Sequence, residues 1–142
     1  MKLTEINNKF SEQKYIEPEF KKVEELCKED YIPLIDRDAA DLLKLQLKIK
    51  QPKKILEIGT AYGFSTLILA KNTSETAKIT TIEIDSSRAS VAKEIFEEYN
   101  YDQKIDQKIG DAFDILMYLK EEYDFIFLDA AKGQYFYLFE YL

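Results

Sequence analysis

The chain has 142 residues, of which 46% are hydrophobic and 33% are charged, and its formal net charge is −7. A chain of this size can bury most of the surface that its unfolded form exposes, so we expect one domain over residues 1–142. The negative charge argues against a broad surface for phosphate backbones. The sequence has no histidine and one cysteine, Cys27, which excludes a Ser-His-Asp triad, a histidine-based zinc site and an internal disulfide.

The sequence also lacks the features of a membrane or secreted protein. No apolar run reaches the ~20 residues that cross a bilayer. The opening MKLTEINNKF has no apolar stretch of the kind found in secretory signals. We therefore expect a cytoplasmic protein.

Residues 1–50 are predicted to be an N-terminal helical segment. From residue 17 to residue 30, Phe20, Val23 and Cys27 recur at helical spacing among charges, which predicts an amphipathic surface helix. After Pro33, the run DRDAADLLKLQLKIK predicts a second helix that ends before Pro52.

Residues 51–142 alternate between short β-rich runs and helical stretches. The β-rich runs are KKILEIG, KITTIEID, KIDQKIGD and YDFIFLD, and the stretches between them are FSTLILAKN, SRASVAKEIFEEYN and AFDILMYLKEE. Runs such as ILEI and FIFL are apolar on both faces, as parallel strands covered by helices are. The right-handed crossover rule then favours an α/β fold with a doubly wound parallel sheet.

The turn after the first strand is the first candidate ligand site. In ILEIGTAYGFSTLILA, Gly59 and Gly63 allow a sharp turn and a close approach to a ligand, and Ser65 lies at the start of the next helix. The unpaired amides of that helix start could bind a carboxylate or phosphate. A glycine pair after a strand is also a common tight connection, so the motif alone is weak.

Two later strand ends add candidates. Glu83 closes the second strand about 20 residues after Gly63, where nucleoside-binding sheets carry the acid that accepts hydrogen bonds from ribose. Asp111 and Ala112 follow the third strand, within reach of an adenine. The alternatives are a solvated strand end for Glu83 and a helix N-cap for Asp111. Asp85, two residues after Glu83, is better explained as the N-cap of the next helix.

The series YIPLIDRDAADLL, ILEIGTAYGFST, TIEID, IGDAFDIL and YDFIFLDAAKGQY resembles the class I S-adenosylmethionine-dependent O-methyltransferases of the catechol and caffeoyl-CoA type. The similarity is greatest to the bacterial branch that includes the tRNA 5-hydroxyuridine methyltransferase, and it runs from about Tyr31 to the end. It implies a Rossmann-like sheet of order 3-2-1-4 over residues 51–142 and S-adenosylmethionine as cofactor.

The resemblance also implies roles for individual residues. Glu57, Gly59 and Gly63 would belong to the loop around the methionine part of the cofactor, with Ser65 near its carboxylate. Glu83 would hold the ribose hydroxyls. Asp111 and Ala112 would flank the adenine.

The D-A-x-K-x-x-Y pattern near the end implies catalytic roles. Asp129 corresponds to the family's first metal-binding carboxylate, beside the cofactor, and Lys132 to a lysine that helps to deprotonate the acceptor hydroxyl. Tyr135 corresponds to a tyrosine on the substrate side. The alternative is that Asp129 caps a helix, Lys132 is solvated and Tyr135 packs in the core.

The implied reaction moves an activated methyl from sulfonium to a hydroxyl, so the protein must align the acceptor oxygen and lower its proton affinity. Mg²⁺ or another divalent cation bound by oxygen ligands can do this without histidine. The acceptor is expected to be an aromatic small molecule or a modified tRNA uridine. The lysine-rich KIKQPKK could make a local RNA contact or be a solvated helix end.

Family members continue past the present last residue, so we expect the final strands of the fold to be missing from this chain. YDFIFLD would then form an edge that invites pairing with a second copy, which makes a homodimer a further expectation. The competing function is a non-catalytic cofactor-binding or self-associating module. A nicotinamide-dependent dehydrogenase is disfavoured because the loop reads E-x-G-x-x-x-G rather than G-x-G-x-x-G.

Overall fold

The structure is a computed structural model that describes residues 14–129. A 3-10 turn at Pro18–Phe20 precedes two helices, α1 at Lys21–Glu29 and α2 at Arg37–Lys50. Strands and helices then alternate in the order β1 (Lys54–Ile58), α3 (Phe64–Lys71), β2 (Lys78–Glu83), α4 (Ser86–Glu98), β3 (Ile105–Ile109), α5 (Ala112–Tyr118) and β4 (Phe125–Leu128).

The four strands form one parallel sheet in the order β3-β2-β1-β4. This confirms both the α/β class and the strand order implied by the resemblance. The start of β4 is aligned on β1 by Asp124, whose two carboxylate oxygens accept hydrogen bonds from the backbone amides of Lys53 and Lys54, each at 2.9 Å.

Helices cover both faces of the sheet, as predicted for a doubly wound fold. One face, which we call the α3 face, packs against α1, α2, α3 and α4. Ile55 of β1 and Ile79 of β2 point into it and are fully buried. The opposite face, which we call the α5 face, holds a smaller cluster of Leu56, Ile58, Ile82 and Leu116.

The first predicted helix is shorter than its apolar pattern. The segment from residue 17 to residue 30 starts as the 3-10 turn, and α1 begins only at Lys21. Phe20 separates the two because its backbone is not helical, at φ −103° and ψ 24°. Its ring is nevertheless buried, and it meets Tyr99 edge-on at 5.0 Å between centroids. The prediction for α2 is confirmed, since this helix ends before Pro52.

Acidic N-caps set the starts of three helices. The side chains of Asp36, Asp85 and Asp111 accept hydrogen bonds from backbone amides in the first turns of α2, α4 and α5. Such caps satisfy amides that have no partner within the helix. The N-cap predicted for Asp85 is confirmed, and so is the alternative of an N-cap at Asp111.

Within residues 14–129, none of the helices is long and apolar enough to cross a membrane.

Candidate functional site

The loops that follow the four strands meet at one edge of the sheet. The amide of Gly59 donates to Ile82 O and the amide of Gly110 donates to Glu83 O, each at 2.9 Å. The amide of Asp129 donates to Ile58 O, also at 2.9 Å. The ends of β1, β2, β3 and β4 are therefore tied side by side, and a crevice at the carboxyl ends of parallel strands is the usual place for a ligand in such folds.

The loop from β1 to α3 requires glycine. Gly59 and Gly63 have φ values of 102° and 85°, in the region that side chains disfavour. A Cβ on Gly63 would also lie 2.4 Å from Cε1 of Phe96, closer than real atoms approach. The two predicted glycines thus permit a tight loop pressed against α4.

Glu83 closes β2 at the rim of this crevice. Its Oε2 accepts from the amide of Ala61 at 2.7 Å, and its Oε1 accepts from the amide of Asp85 at 2.9 Å. The side chain is 6% exposed, so these amides hold it in one place. Each carboxylate oxygen can accept a further hydrogen bond. The result is a fixed pair of neighbouring acceptors, which fits two adjacent hydroxyls.

Glu57 lies beneath the loop rather than in it. It is a residue of β1 and is 0% exposed. Its Oε1 accepts from the hydroxyl of Ser65 at 2.6 Å, and its Oε2 accepts from the hydroxyls of Thr66 and Thr81, the latter at 2.7 Å. Thr60 joins this network through the Thr81 hydroxyl at 2.6 Å. The network, which we call the hydroxyl cage, links β1, β2 and both ends of the glycine loop.

Burial raises the pKa of Glu57 to about 7. The three hydroxyl hydrogen bonds oppose this effect because they favour the charged form, while the negative charge of Asp129 adds to it. Asp129 follows β4, and burial raises the pKa of its own carboxyl. Two carboxyls whose ionisation is disfavoured therefore lie near the loop.

A cleft opens between the glycine loop and the segment that joins α1 to α2. Its lining consists of an apolar strip, loop residues, Ser65 and the carboxylate of Asp129: Cys27, Ile32, Pro33, Leu34, Ile35, Thr60, Ala61, Tyr62, Phe64, Ser65 and Asp129. Tyr62 fastens the loop to the end of α1, since its hydroxyl donates to Asp30 at 2.7 Å.

Asp111 and Ala112 lie where the third strand leads into α5. Asp111 Oδ1 accepts from the amide of Phe113 at 2.8 Å, and Ala112 is the first residue of the helix. Gly110, with φ 148°, turns the chain between β3 and this helix. A role for these residues beside a ligand stays a prediction.

Sequence reasoning missed two features of the site. Ile84 directly follows Glu83 and is 66% exposed, which places an apolar surface at the end of β2. In the sequence, the one signal for this surface is an isoleucine between two acidic residues. The threonines of the hydroxyl cage were also missed. They lie three to 24 residues from Glu57, in the loop, in α3 and in β2, and the sequence around them has no pattern that sets them apart.

Lys132 and Tyr135 lie outside the described residues. Within residues 14–129, no group of three or more cysteine or carboxylate side chains could hold a metal ion. Asp129 is thus one candidate oxygen ligand without described partners, and these residues alone do not form a metal site.

Comparison with known proteins agrees with this architecture. Residues 10–142 match a family model described as O-methyltransferase. The chain is 35% identical over 97 residues to a catechol O-methyltransferase of Niastella koreensis, covering 66% of this chain and 44% of that protein. It is 33% identical over 103 residues to a caffeoyl-CoA O-methyltransferase of Stellaria longipes, covering 68% and 43%. The chain thus spans less than half of the length of these relatives.

Solved structures give the same result. The O-methyltransferase TomG of Streptomyces achromogenes, solved in complex with SAM, superposes with a TM-score of 0.79 at 28% identity, over 88% of this chain and 59% of that one. An O-methyltransferase of Bacillus cereus, solved in complex with SAH, gives a TM-score of 0.78 at 29% identity, over 86% and 58%. The chain described here belongs to the O-methyltransferase family.

Proposed function

We propose that this chain binds S-adenosylmethionine in the crevice at the carboxyl ends of its strands and forms the cofactor-binding part of an O-methyltransferase. The observation that carries the proposal is Glu83. Two backbone amides fix its carboxylate at the end of β2, and both of its oxygens can still accept from a vicinal diol. Ribose offers such a diol, and the SAM- and SAH-bound relatives support this choice of nucleoside.

The rest of the crevice fits the other parts of the cofactor. The glycine loop and the start of α3 with Ser65 would surround the methionine part, beside Glu57 and Asp129. The exposed side chain of Ile84 would lie against the adenine, and Asp111 and Ala112 would contact its edge. Apolar contact with one or two precisely placed polar groups is the usual composition of such sites.

The proposed reaction transfers the methyl group to a hydroxyl. The cofactor supplies a methyl already activated on sulfonium, so the chain's own residues need to bind it, orient it and exclude water. The acceptor we favour is a hydroxyl of an aromatic small molecule, because relatives carry the names catechol and caffeoyl-CoA O-methyltransferase. A modified tRNA uridine is the second acceptor class.

Assistance by Mg²⁺ or another divalent cation remains a prediction. Asp129 offers one carboxylate, and hard cations of this kind require several oxygen ligands, part of them water. No step of the reaction is therefore assigned to a metal. Three further expectations also stay predictions. They are a role for Lys132 as a base, a contact of Tyr135 with the substrate and the formation of a homodimer.

Calorimetric titration of the whole chain with S-adenosylhomocysteine tests the proposal. We expect micromolar binding that Glu83→Ala weakens at least about tenfold, since one charged hydrogen-bonded group is lost. Glu94→Ala is the matched control, because Glu94 is an exposed carboxylate on α4 away from the strand ends.

Absence of binding by a chain that circular dichroism shows to be folded would contradict the proposal. Equal affinity of the Glu83→Ala and Glu94→Ala variants would refute the assignment of the ribose site. Binding without methyl transfer to any catechol would favour the second candidate, a cofactor-binding module that does not turn over. That candidate has one supporting observation: among the described strands, β4 pairs with β1 alone, and Ile126 within it is 39% exposed.

A further inference from the structure

Helix α2 is apolar on two opposite sides. The residues of its inner side, which pack into the core of the α3 face, are Ala40, Leu43 and Leu47. Its outer side carries Leu42, Leu45 and Ile49, each of which is between 53% and 66% exposed. With about 100° of rotation per residue, these three outer side chains lie within about 60° of one another and roughly 160° from the buried side. They form one stripe, which we call the α2 stripe.

The α2 stripe differs from the scattered apolar residues of an ordinary protein surface. Single exposed leucines are common on soluble proteins. Three apolar residues at spacings of three and four are instead the pattern with which a helix packs against a neighbour. None of the three belongs to the described lining of the cleft, so the stripe is separate from the proposed cofactor site.

The charges beside the stripe indicate which kind of partner it fits. Asp41 and Lys48 lie on the same flank, within about 20° of each other around the helix axis. The side chain of Asp41 is 61% exposed, although it also pairs with Lys44 of its own chain at 3.0 Å. The other flank carries the uncharged residues Ala39 and Gln46. One flank is thus acidic towards the start of the helix and basic towards its end, and the other is neutral.

This arrangement is complementary to a reversed copy of itself. In a two-fold pair of antiparallel helices, the charged flanks of the two copies meet, so Asp41 of each copy lies opposite Lys48 of the other. In a parallel pair, the charged flank would meet the neutral flank and these ion pairs would not form. A partner with a surface of one sign would repel either Asp41 or Lys48. A second copy is therefore the partner that satisfies both charges.

We propose that the α2 stripe is the contact between two copies of this chain, which pair through antiparallel α2 helices with Leu45 near the two-fold axis. Leu42 of one copy then packs against Ile49 of the second, and Asp41 and Lys48 form two reciprocal ion pairs. The inference goes beyond the proposed function and does not depend on the cofactor. It also assigns the contact to a surface other than the edge of β4, where a homodimer was expected from the sequence.

The dimer is expected to be weak. One helix from each copy offers less than the roughly 800 Å² per partner of a standard interface, so we expect a Kd on the order of 10–100 µM. Sedimentation equilibrium of the whole chain between about 5 and 500 µM should then show a change from monomer to dimer.

Leu45→Lys tests the centre of the contact. Lysine has a helix propensity similar to that of leucine, but the two-fold axis brings two ammonium groups together. We expect the Kd of the dimer to rise at least about tenfold. Met117→Lys is the matched control, because Met117 is a similarly exposed apolar residue on α5, and this variant should dimerise as wild type does.

Two charge variants test the antiparallel orientation. Asp41→Lys and Lys48→Glu each make both ion pairs repulsive, because the two-fold symmetry repeats the change. Each variant alone should dimerise about tenfold more weakly than wild type. In an equimolar mixture, one copy of each variant restores opposite charges at both pairs, so the mixture should dimerise about as strongly as wild type.

Three results would overturn the inference, with circular dichroism used to verify that each variant is folded. A wild type that stays monomeric up to about 500 µM would show that the stripe does not pair two copies. A dimer that Leu45→Lys leaves intact would place the contact elsewhere, with the edge of β4 as the next candidate. A mixture of the charge variants that dimerises no better than either alone would refute the antiparallel pairing. Calorimetric titration with S-adenosylhomocysteine tests the proposed function independently of all three.

Discussion

The two faces of the sheet differ in what they contribute. The α3 face carries four of the described helices, most of the buried apolar side chains and the hydroxyl cage. The α5 face carries one described helix and a small cluster around Leu56 and Leu116. Glu57, Thr81 and Glu83 point to the α3 face, because they alternate along β1 and β2 with residues of the α5 face such as Ile58 and Ile82.

This difference explains why the buried polar groups beneath the glycine loop lie on the α3 face. A polar group can be held in a fixed position only where packed neighbours leave it no freedom and its hydrogen bonds are satisfied. The α3 face meets both conditions beneath the glycine loop. On the α5 face, side chains of the described residues are mostly only half-buried, so we expect this face to contribute less to stability.

The largest expected effect comes from matched leucine substitutions on the two faces. Leu67→Ala on α3 removes a side chain that is 0% exposed, and Leu116→Ala on α5 removes one that is 8% exposed in a smaller cluster. We expect Leu67→Ala to cost about 3–5 kcal/mol of the free energy of unfolding and Leu116→Ala about 2 kcal/mol. Urea denaturation of both variants measures the difference. Equal losses would show that the two faces are equally well packed.

The next effect is a dependence of stability on pH that originates on the α3 face. The pKa of Glu57 is raised from 4.5 to about 7, so the folded state binds more protons than the unfolded state in this window. Stability should therefore fall as the pH rises from about 4.5 to about 7, by on the order of 3 kcal/mol from this group. Denaturation at a series of pH values measures the slope.

Glu57→Gln should flatten most of this slope, because the amide does not titrate. Asp129 is the other carboxyl near Glu57 and its pKa is raised as well, so its contribution has the same sign. Asp129→Asn separates the two contributions. A slope that survives in Glu57→Gln and disappears in Asp129→Asn would assign the pH dependence to Asp129 and contradict its assignment to Glu57.

The smallest expected effect compares helix caps on the two faces. Asp85 caps α4 with bonds to the amides of Ser87 at 2.9 Å and Arg88 at 3.0 Å, whereas Asp111 caps α5 with one bond. We expect Asp85→Ala to cost about 1 kcal/mol of unfolding free energy, and Asp111→Ala about half of that. Thermal unfolding without ligand checks the order. A larger loss for Asp111→Ala would mean that α5 contributes more than its sparse packing indicates.

The sequence was sufficient to predict the sheet and its crevice because local patterns carry that information. Glycines after β1, an acid at the end of β2 and the alternation of β-rich runs with helical stretches each depend on neighbouring residues, whereas the strand order was implied by the resemblance. Gly59, Gly63 and Glu83 therefore lie where they were expected.

The hydroxyl cage could not be predicted in the same way. Its members come from β1, the glycine loop, α3 and β2, and only the fold brings Thr81 to Glu57. The resemblance assigned Glu57 to the loop, whereas the structure places it within β1, where hydroxyl hydrogen bonds satisfy its buried carboxylate.

Asp124 has a consequence for how the sheet is assembled. Its partners, Lys53 and Lys54, lie 71 and 70 residues earlier in the chain, so the pairing of β4 with β1 closes the longest described loop of the sheet. Long closures are entropically unfavourable and slow folding. A slip of β4 by one residue would turn the side chains of its α3 face to the α5 face. The hydrogen bonds from the two lysine amides to Asp124 disfavour such a slip. Asp124 thus favours one register for the pairing of β4 with β1 across this long closure.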